Sequence, residues 1–215
     1  MKLLLVSATR KEIEPFLDSF NLAEGPNEWK GNSIHILTGG VGMVATAYSM
    51  GRVFAHHHFD LAVNAGIAGS FQRSLSTGTV VQVSSDCFSE LGAEDGPDFL
   101  TIDEMGFGNS TECPLTLEGL DKYTAHLRKV TAITVNSVHG NDTSISRILG
   151  RLKPEIESME GAAFFYACRM CQIPSIQIRS ISNFIERRNR HNWNIPLAVG
   201  SLNIELINLL RKILL

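Results

Sequence analysis

Four stretches of this sequence place glycines or ionisable side chains at spacings that could support chemistry. Gly40-Val41-Gly42-Met43-Val44-Ala45 is a G-x-G-x-x-A string between an apolar run and a helix-period run, with Asp60 downstream. Glycines that open a helix let backbone N–H groups approach an anion or a sugar oxygen, the device by which dinucleotide-binding folds hold a pyrophosphate. A nicotinamide-dependent oxidoreductase fits poorly: Asp60 precedes the strand it should end, the string follows a later strand than the first, and no Tyr-x-x-x-Lys or hydride-site His accompanies it. Asn64-Ala65-Gly66-Ile67-Ala68-Gly69-Ser70 reads as a second glycine-rich turn, and two such turns at strand C-terminal ends mark a ligand cleft in an open α/β sheet. Glu157-Ser158-Met159-Glu160-Gly161-Ala162-Ala163 puts a carboxylate at the opening turn of a helix, and Ile178-Arg179-Ser180-Ile181-Ser182-Asn183 ends an apolar strand in polar side chains.

Metal or redox chemistry finds less support. Cys168-x-x-Cys171 lies in an apolar helical run without a second ligand pair, which reads as a helix burying soft thiols. His56-His57-His58 would splay around a helix axis and cannot converge on one ion, so the run suits a helix C-terminus. No metal is expected.

The periodicity of the sequence supplies the elements that must position these groups. Strands are predicted at 2–8, 33–38, 61–65, 79–83, 130–135 and 175–180, and helices at 10–20, 43–55 and 160–171. A long terminal helix follows Asn194, a natural N-cap, with Pro196 in its first turn. Runs such as Leu61-Ala62-Val63 are apolar without alternation, so both faces of the sheet are covered and the fold class is α/β, a three-layer α/β/α sandwich. The segment 89–115 reads as one long functional loop. The terminal helix is apolar on more than one face, which suits either full burial or a subunit interface.

With 215 residues, 44% of them hydrophobic, and a net charge of −3, the chain is expected to form a single domain over 1–215. Mild acidity gives no electrostatic reason to bind nucleic acid or an anionic membrane. The apolar run at Leu3–Val6 is too short for a signal or a spanning helix, so a cytoplasmic location is expected.

Taken in order, the N-terminal Ala8-x-x-x-Glu12, the Asn-x-Gly-x-Ala-Gly stretch at Asn64–Gly69, Met159-Glu160-Gly161-Ala162 and Arg179-x-Ile181-Ser182-Asn183 resemble the nucleoside phosphorylase and nucleosidase superfamily. Their spacing is similar to the methylthioadenosine/S-adenosylhomocysteine nucleosidase branch over nearly the whole chain. Residues 182–196 are most similar to the futalosine-hydrolysing members, which serve menaquinone biosynthesis. The resemblance implies a mixed central sheet, no cofactor, a small-molecule nucleoside substrate and a homodimer. It implies that Glu12 activates water, that Glu160 and Met159 hold the ribose, and that Arg179 supports Glu12 by hydrogen bonding. Ser182 and the backbone at Ala68 and Gly69 join the substrate-binding set.

Two departures from the branch are informative. Asn183 stands where the adenosine-type enzymes carry aspartate. Its carbonyl can accept N7–H while its NH₂ donates to a 6-oxo group, so hypoxanthine or guanine suits it better than adenine. Ile67 replaces a frequent hydroxyl residue. Arg187, Arg188, Arg190 and His191 form a basic patch in an acidic protein. The resemblance implies a carboxylate-bearing tail on the substrate, and one of these arginines, Arg188 among them, or one from a neighbouring subunit, is expected to bind it with Trp193 stacking nearby. The absence of a Gly-Asp-Pro loop around Ser7–Glu12 favours water over phosphate as the nucleophile, while Arg10 keeps a 6-oxopurine phosphorylase in view. The roles of His139 and Asp142 are not fixed by the sequence.

Overall fold

The computed structural model describes residues 1–215. In chain order, its first half contains β1 (Lys2–Ser7), α1 (Arg10–Phe20), β2 (Gly25–Trp29), β3 (Asn32–Thr38), α2 (Met43–Phe54), β4 (Leu61–Ser70), β5 (Val80–Phe88), β6 (Gly92–Asp95) and β7 (Asp98–Thr101). Then follow β8 (Thr111–Glu112), α3 (Asp121–Thr124), β9 (Arg128–Thr134), α4 (Asp142–Arg151), β10 (Ile156–Ser158), α5 (Gly161–Met170), β11 (Ser175–Phe184) and α6 (Ile195–Leu214).

The strands form a mixed sheet in the order β10-β9-β5-β11-β4-β1-β3-β2. Helices cover both faces. Ile13, Phe16 and Leu17 of α1 pack with Leu202, Leu206 and Leu209 of α6 on one face, while Met50 of α2 packs with Phe164 and Phe165 of α5 on the other. The expected three-layer arrangement is present.

The sheet is not open. β10 pairs parallel with β9 and antiparallel with β4 through Ile156↔Ser70 and Glu157↔Gly69, so β4, β11, β5, β9 and β10 close into a ring. This closure requires long strands, and it corrects the expected glycine-rich turn at Asn64–Ser70, which is the second half of β4. Neither Gly66 nor Gly69 uses a positive φ; each omits a side chain that would crowd side chains from elsewhere, Arg179 and Glu12 at Gly66 and Ile185 at Gly69. β11 likewise runs past Ser180 to Phe184 and carries Ser182 and Asn183 within the strand.

The segment 89–115 is not one loop, since it holds the β6–β7 hairpin and β8, which pairs with β5. Asn194 caps α6, accepting from the Leu197 N–H at 3.2 Å. Of the two expected uses of the apolar surplus on α6, burial within the chain accounts for Ala198, Leu202, Leu206, Leu209, Leu210 and Leu214. The larger exposed apolar surface is elsewhere, at Val44 and Tyr48 of α2, Tyr166 and Met170 of α5, and Phe107.

Candidate active site

Glu12 stands at the third position of α1 and closes a capping box with Thr9. Its Oε2 accepts from the Thr9 N–H at 2.9 Å, Thr9 Oγ1 at 3.1 Å and Ser7 Oγ at 3.2 Å. Its Oε1 accepts from the backbone N–H of Ile67 at 3.2 Å. Four donors hold the two oxygens at the N-terminus of α1, and lone-pair capacity is left on Oε1. The Ile67 contact uses backbone, so the missing hydroxyl at that position removes nothing from this arrangement.

Glu160 is the N-cap residue of α5 and 9% exposed. Gly42 donates its N–H to Oε1 at 3.0 Å, and Met159 donates its own to Oε2 at 3.3 Å. The G-x-G string therefore offers its backbone to a carboxylate of the chain itself; Gly40 and Gly42 take φ values of 91° and 95°, which a side chain would strain. Asp60, the other half of the apparent dinucleotide motif, accepts from the Lys2 N–H at 2.7 Å at the foot of the sheet. Burial raises the Glu160 carboxyl above its ordinary value, against the pull of Arg179 and the Gly42 N–H, and Glu12 adds to the rise.

Arg179 is 1% exposed and lies beneath this pair of glutamates. The expected hydrogen bond to Glu12 is not present: the guanidinium donates to Asn64 Oδ1 and to the carbonyl of Ile178, and its Nε has no partner. A Cβ on Gly66 would stand 3.1 Å from both Arg179 Nη1 and Glu12 Oε1, so the glycine leaves the gap across which the two face one another. Burial lowers the guanidinium from its ordinary value, and Glu160, Glu12 and Asp86 oppose that.

Asn183 sits just beyond an irregularity in β11, where Ile181 pairs with Ala68 and Asn183 with Gly69, leaving Ser182 as the extra residue of a bulge. Ser182 Oγ donates to Asn183 Oδ1 at 2.8 Å and lies 3.2 Å from the Ala68 carbonyl. Asn183 Nδ2 donates to the Phe184 carbonyl at 3.0 Å. The carboxamide is thus oriented before any ligand arrives, with one acceptor site and one N–H still free. A Cβ on Gly69 would press on Ile185 and on Asn183 Nδ2, so this glycine makes room for the carboxamide.

The basic patch is exposed, and no acidic side chain lies in ion-pair range of Arg187, Arg188 or Arg190. Arg188 and Arg190 lie over the Trp193 ring at 5.1 and 5.9 Å. The Arg188 N–H donates to the Gly140 carbonyl at 2.9 Å, which ties the patch to the chain following β9. His139 in that chain donates its backbone N–H to Glu157 Oε1 at 2.9 Å and pairs through Nδ1 with Glu157 Oε2, while Phe71 meets its ring edge-on at 6.2 Å. Asp142 opens α4 as an exposed residue.

Sequence reasoning missed two groups here: Glu157, the buried partner of His139, and Asp86, a fully buried carboxylate on β5. Glu157 was within reach, because the residue three before Glu160 was already in the quoted motif. Asp86 carried no signal, since it lies in the polar stretch Ser84-Ser85-Asp86 beyond the predicted end of the strand at 83.

Residues 2–212 match the phosphorylase superfamily. A futalosine hydrolase of Streptomyces coelicolor is 30% identical over 67% of this chain and 62% of that relative. Another, from Acidothermus cellulolyticus, is 27% identical over 94% of this chain and 87% of its own length. The fold superposes on a Helicobacter pylori futalosine hydrolase with a TM-score of 0.83 at 15% identity, covering 99% of this chain and 98% of the other. A match across almost the full length, joined to a shared fold, places this chain in the phosphorylase superfamily.

Proposed function

We propose that this chain hydrolyses the N-ribosidic bond of futalosine and releases hypoxanthine, as a step in menaquinone biosynthesis. The observation that carries the reading is that β4 lies against both Glu12, through the Ile67 N–H, and Asn183, through Gly69, while Glu160, held by the Gly42 N–H, acts with Glu12 on the same buried Arg179. Departure of the base leaves an oxocarbenium-like sugar. Glu12 takes the proton of the attacking water and its negative charge faces the cationic sugar. Glu160 accepts from the ribose hydroxyls, and Met159 packs on the sugar. Hypoxanthine leaves with the electron pair of the N-ribosidic bond and takes up a proton at N7 from solvent water, while Glu12 returns water's proton to solvent. Asn183 accepts that N7–H on Oδ1 and donates to the 6-oxo group from Nδ2, a pattern that adenine does not complement. Ser182, Ala68 and Gly69 shape the base side, and Arg188 with Trp193 receives the carboxylate tail. The reaction uses water and no cofactor.

Arg10, the residue that kept phosphate in view, is half-exposed and pairs with Glu14 at 3.4 Å, which supports water as the nucleophile. The direct test measures free base from futalosine, inosine and methylthioadenosine with and without phosphate. Hypoxanthine from futalosine without phosphate is expected; adenine as the dominant product, or a strict phosphate requirement, would overturn the assignment.

The active species is a cytoplasmic homodimer with a single domain per chain. Its contact surface is the α2–α5 face, where a groove of about 620 Å³ starts at Met43, next to the Gly42 N–H that holds Glu160. Val44 is 78% exposed there, and Tyr48 and Met170 are more than half exposed, a surface that a second copy would cover. Val44→Glu is expected to shift sedimentation from dimer to monomer, and an unchanged dimer would move the interface elsewhere.

A further inference from the structure

Asp86 lies on β5 beyond an irregularity between Val83 and Ser85, which leaves Ser84 unpaired against β9. The extra residue reverses the alternation of the strand. Asp86 therefore turns toward α5, the side on which Val81 and Val83 meet Phe164 and Phe165. It has no solvent exposure. Oδ1 accepts from Thr134 Oγ1 at 2.8 Å, and Thr134 Oγ1 in turn accepts from the Ala162 N–H at 2.8 Å in the first turn of α5. Oδ2 accepts from Gln177 Nε2 at 3.0 Å. A Cβ on Gly161 would collide with both Asp86 Oδ2 and Gln177 Nε2, so the backbone immediately after Glu160 rests on this pair.

The charges around Arg179 do not balance. Glu12, Glu160 and Asp86 all act on one buried guanidinium. The other ion pair near Asp86 is self-contained: Glu112, opposite it in the β5–β8 register, is bound by Arg169 at 2.6 and 2.8 Å. Thr134 and Gln177 are neutral. One carboxyl of the three must hold its proton most readily, and the most buried is Asp86.

Burial pushes Asp86 up to about 6, against hydrogen bonds from Gln177 and Thr134 and the charge of Arg179, with Glu160 adding to the rise. Gln177 can read the change. Its Oε1 has no partner. Nε2 donates to an ionised Asp86; with the amide turned over, Oε1 accepts the proton of a neutral one.

We propose that Asp86 is a positioning residue for the ribose-binding Glu160: ionised and held in place by Gln177, it draws the first turn of α5 down through Thr134 and sets Glu160 against the sugar. The inference rests on the role given to Glu160 under the proposed function. Loss of the charge loosens ribose binding and leaves Glu12, and with it the chemical step, in place.

Steady-state kcat and KM should be measured from pH 5 to 8.5 for wild type and Asp86→Asn, on whichever of futalosine, inosine or methylthioadenosine the wild type cleaves. Which nucleoside is cleaved tests the functional assignment, while the comparison of the two proteins tests Asp86. In wild type, KM is expected to rise as pH falls through about 6. In Asp86→Asn that break disappears, KM at pH 7.5 is about tenfold higher, the effect of one charge-assisted contact, and kcat stays within about threefold.

A substrate-independent measurement accompanies it. Because folding raises Asp86 from its ordinary 3.8 to about 6, its stabilising effect is complete below about pH 4 and is lost as pH rises to about 6. The thermal midpoint of wild type relative to Asp86→Asn should fall across that window and level off above it. If Asp86→Asn does not fold, Gln177→Met, which leaves the carboxylate in place, should raise KM in the same direction. An unaltered KM break in Asp86→Asn, or a loss confined to kcat in either variant, would overturn the proposal.

Discussion

Glu12→Gln is expected to lower kcat about 10²- to 10⁴-fold, the range for removal of a general base, while KM changes by less than about threefold. The native carboxylate meets donors on both oxygens: Ser7 and Thr9 on Oε2, Ile67 N–H on Oε1. A carboxamide keeps the shape but must point its NH₂ at one of these donor sets. It therefore loses the basic lone pair and gains a donor–donor contact. Glutamine remains an acceptable third residue of a capping box, so α1 should persist and the thermal midpoint should fall only slightly. Steady-state kinetics with a melting curve separates the two effects. A loss of less than tenfold would place the base elsewhere.

Asn183→Asp is expected to reverse the preference between 6-oxo and 6-amino purines, changing the ratio of kcat/KM by about 10²-fold or more, as when a buried polar group is left facing the wrong partner. In the native site Ser182 Oγ holds Oδ1 and the Phe184 carbonyl holds Nδ2. An ionised aspartate would still accept from Ser182, but its second oxygen would face both the Phe184 carbonyl and the 6-oxo oxygen of hypoxanthine. A 6-amino group relieves the second clash by donating. Competing futalosine against methylthioadenosine reads the ratio directly, and an unchanged ratio would remove Asn183 from base selection.

The covering helices and the first strands were legible because their patterns are local. Helix 10–20 follows the helical period, which sends Ile13, Phe16, Leu17 and Phe20 to one buried face, and β1 is a run of apolar side chains with both faces buried. The closed ring was not legible. Its decisive pairing joins Ile156 to Ser70, far apart in sequence, and leaves no residue-type signature on either strand. Gly66 and Gly69 were misread for a related reason. Glycine in a strand usually suggests a turn or a bulge, yet here both report close approaches by side chains from elsewhere, Arg179 and Glu12 at one and Ile185 and Asn183 at the other. In the candidate site, Glu12, Glu160 and Asn183 were visible as motif members, whereas Asp86 depends on a one-residue shift in β5 that only the register reveals.

The bulge at Ser182 divides β11 into two phases. Arg179 lies before it, among buried charges, and Asn183 lies after it, half-buried with its carboxamide held by Ser182 and Phe184. Removing the extra residue would turn Asn183 to the opposite side of the strand while leaving the pairing of Arg179 with Gly66 unchanged. The buried guanidinium and the carboxamide thus share a strand without sharing a register. Under the proposed function, a lineage could remodel its choice of nucleobase by changing residues beyond that break, with the part of the strand that carries Arg179 held constant.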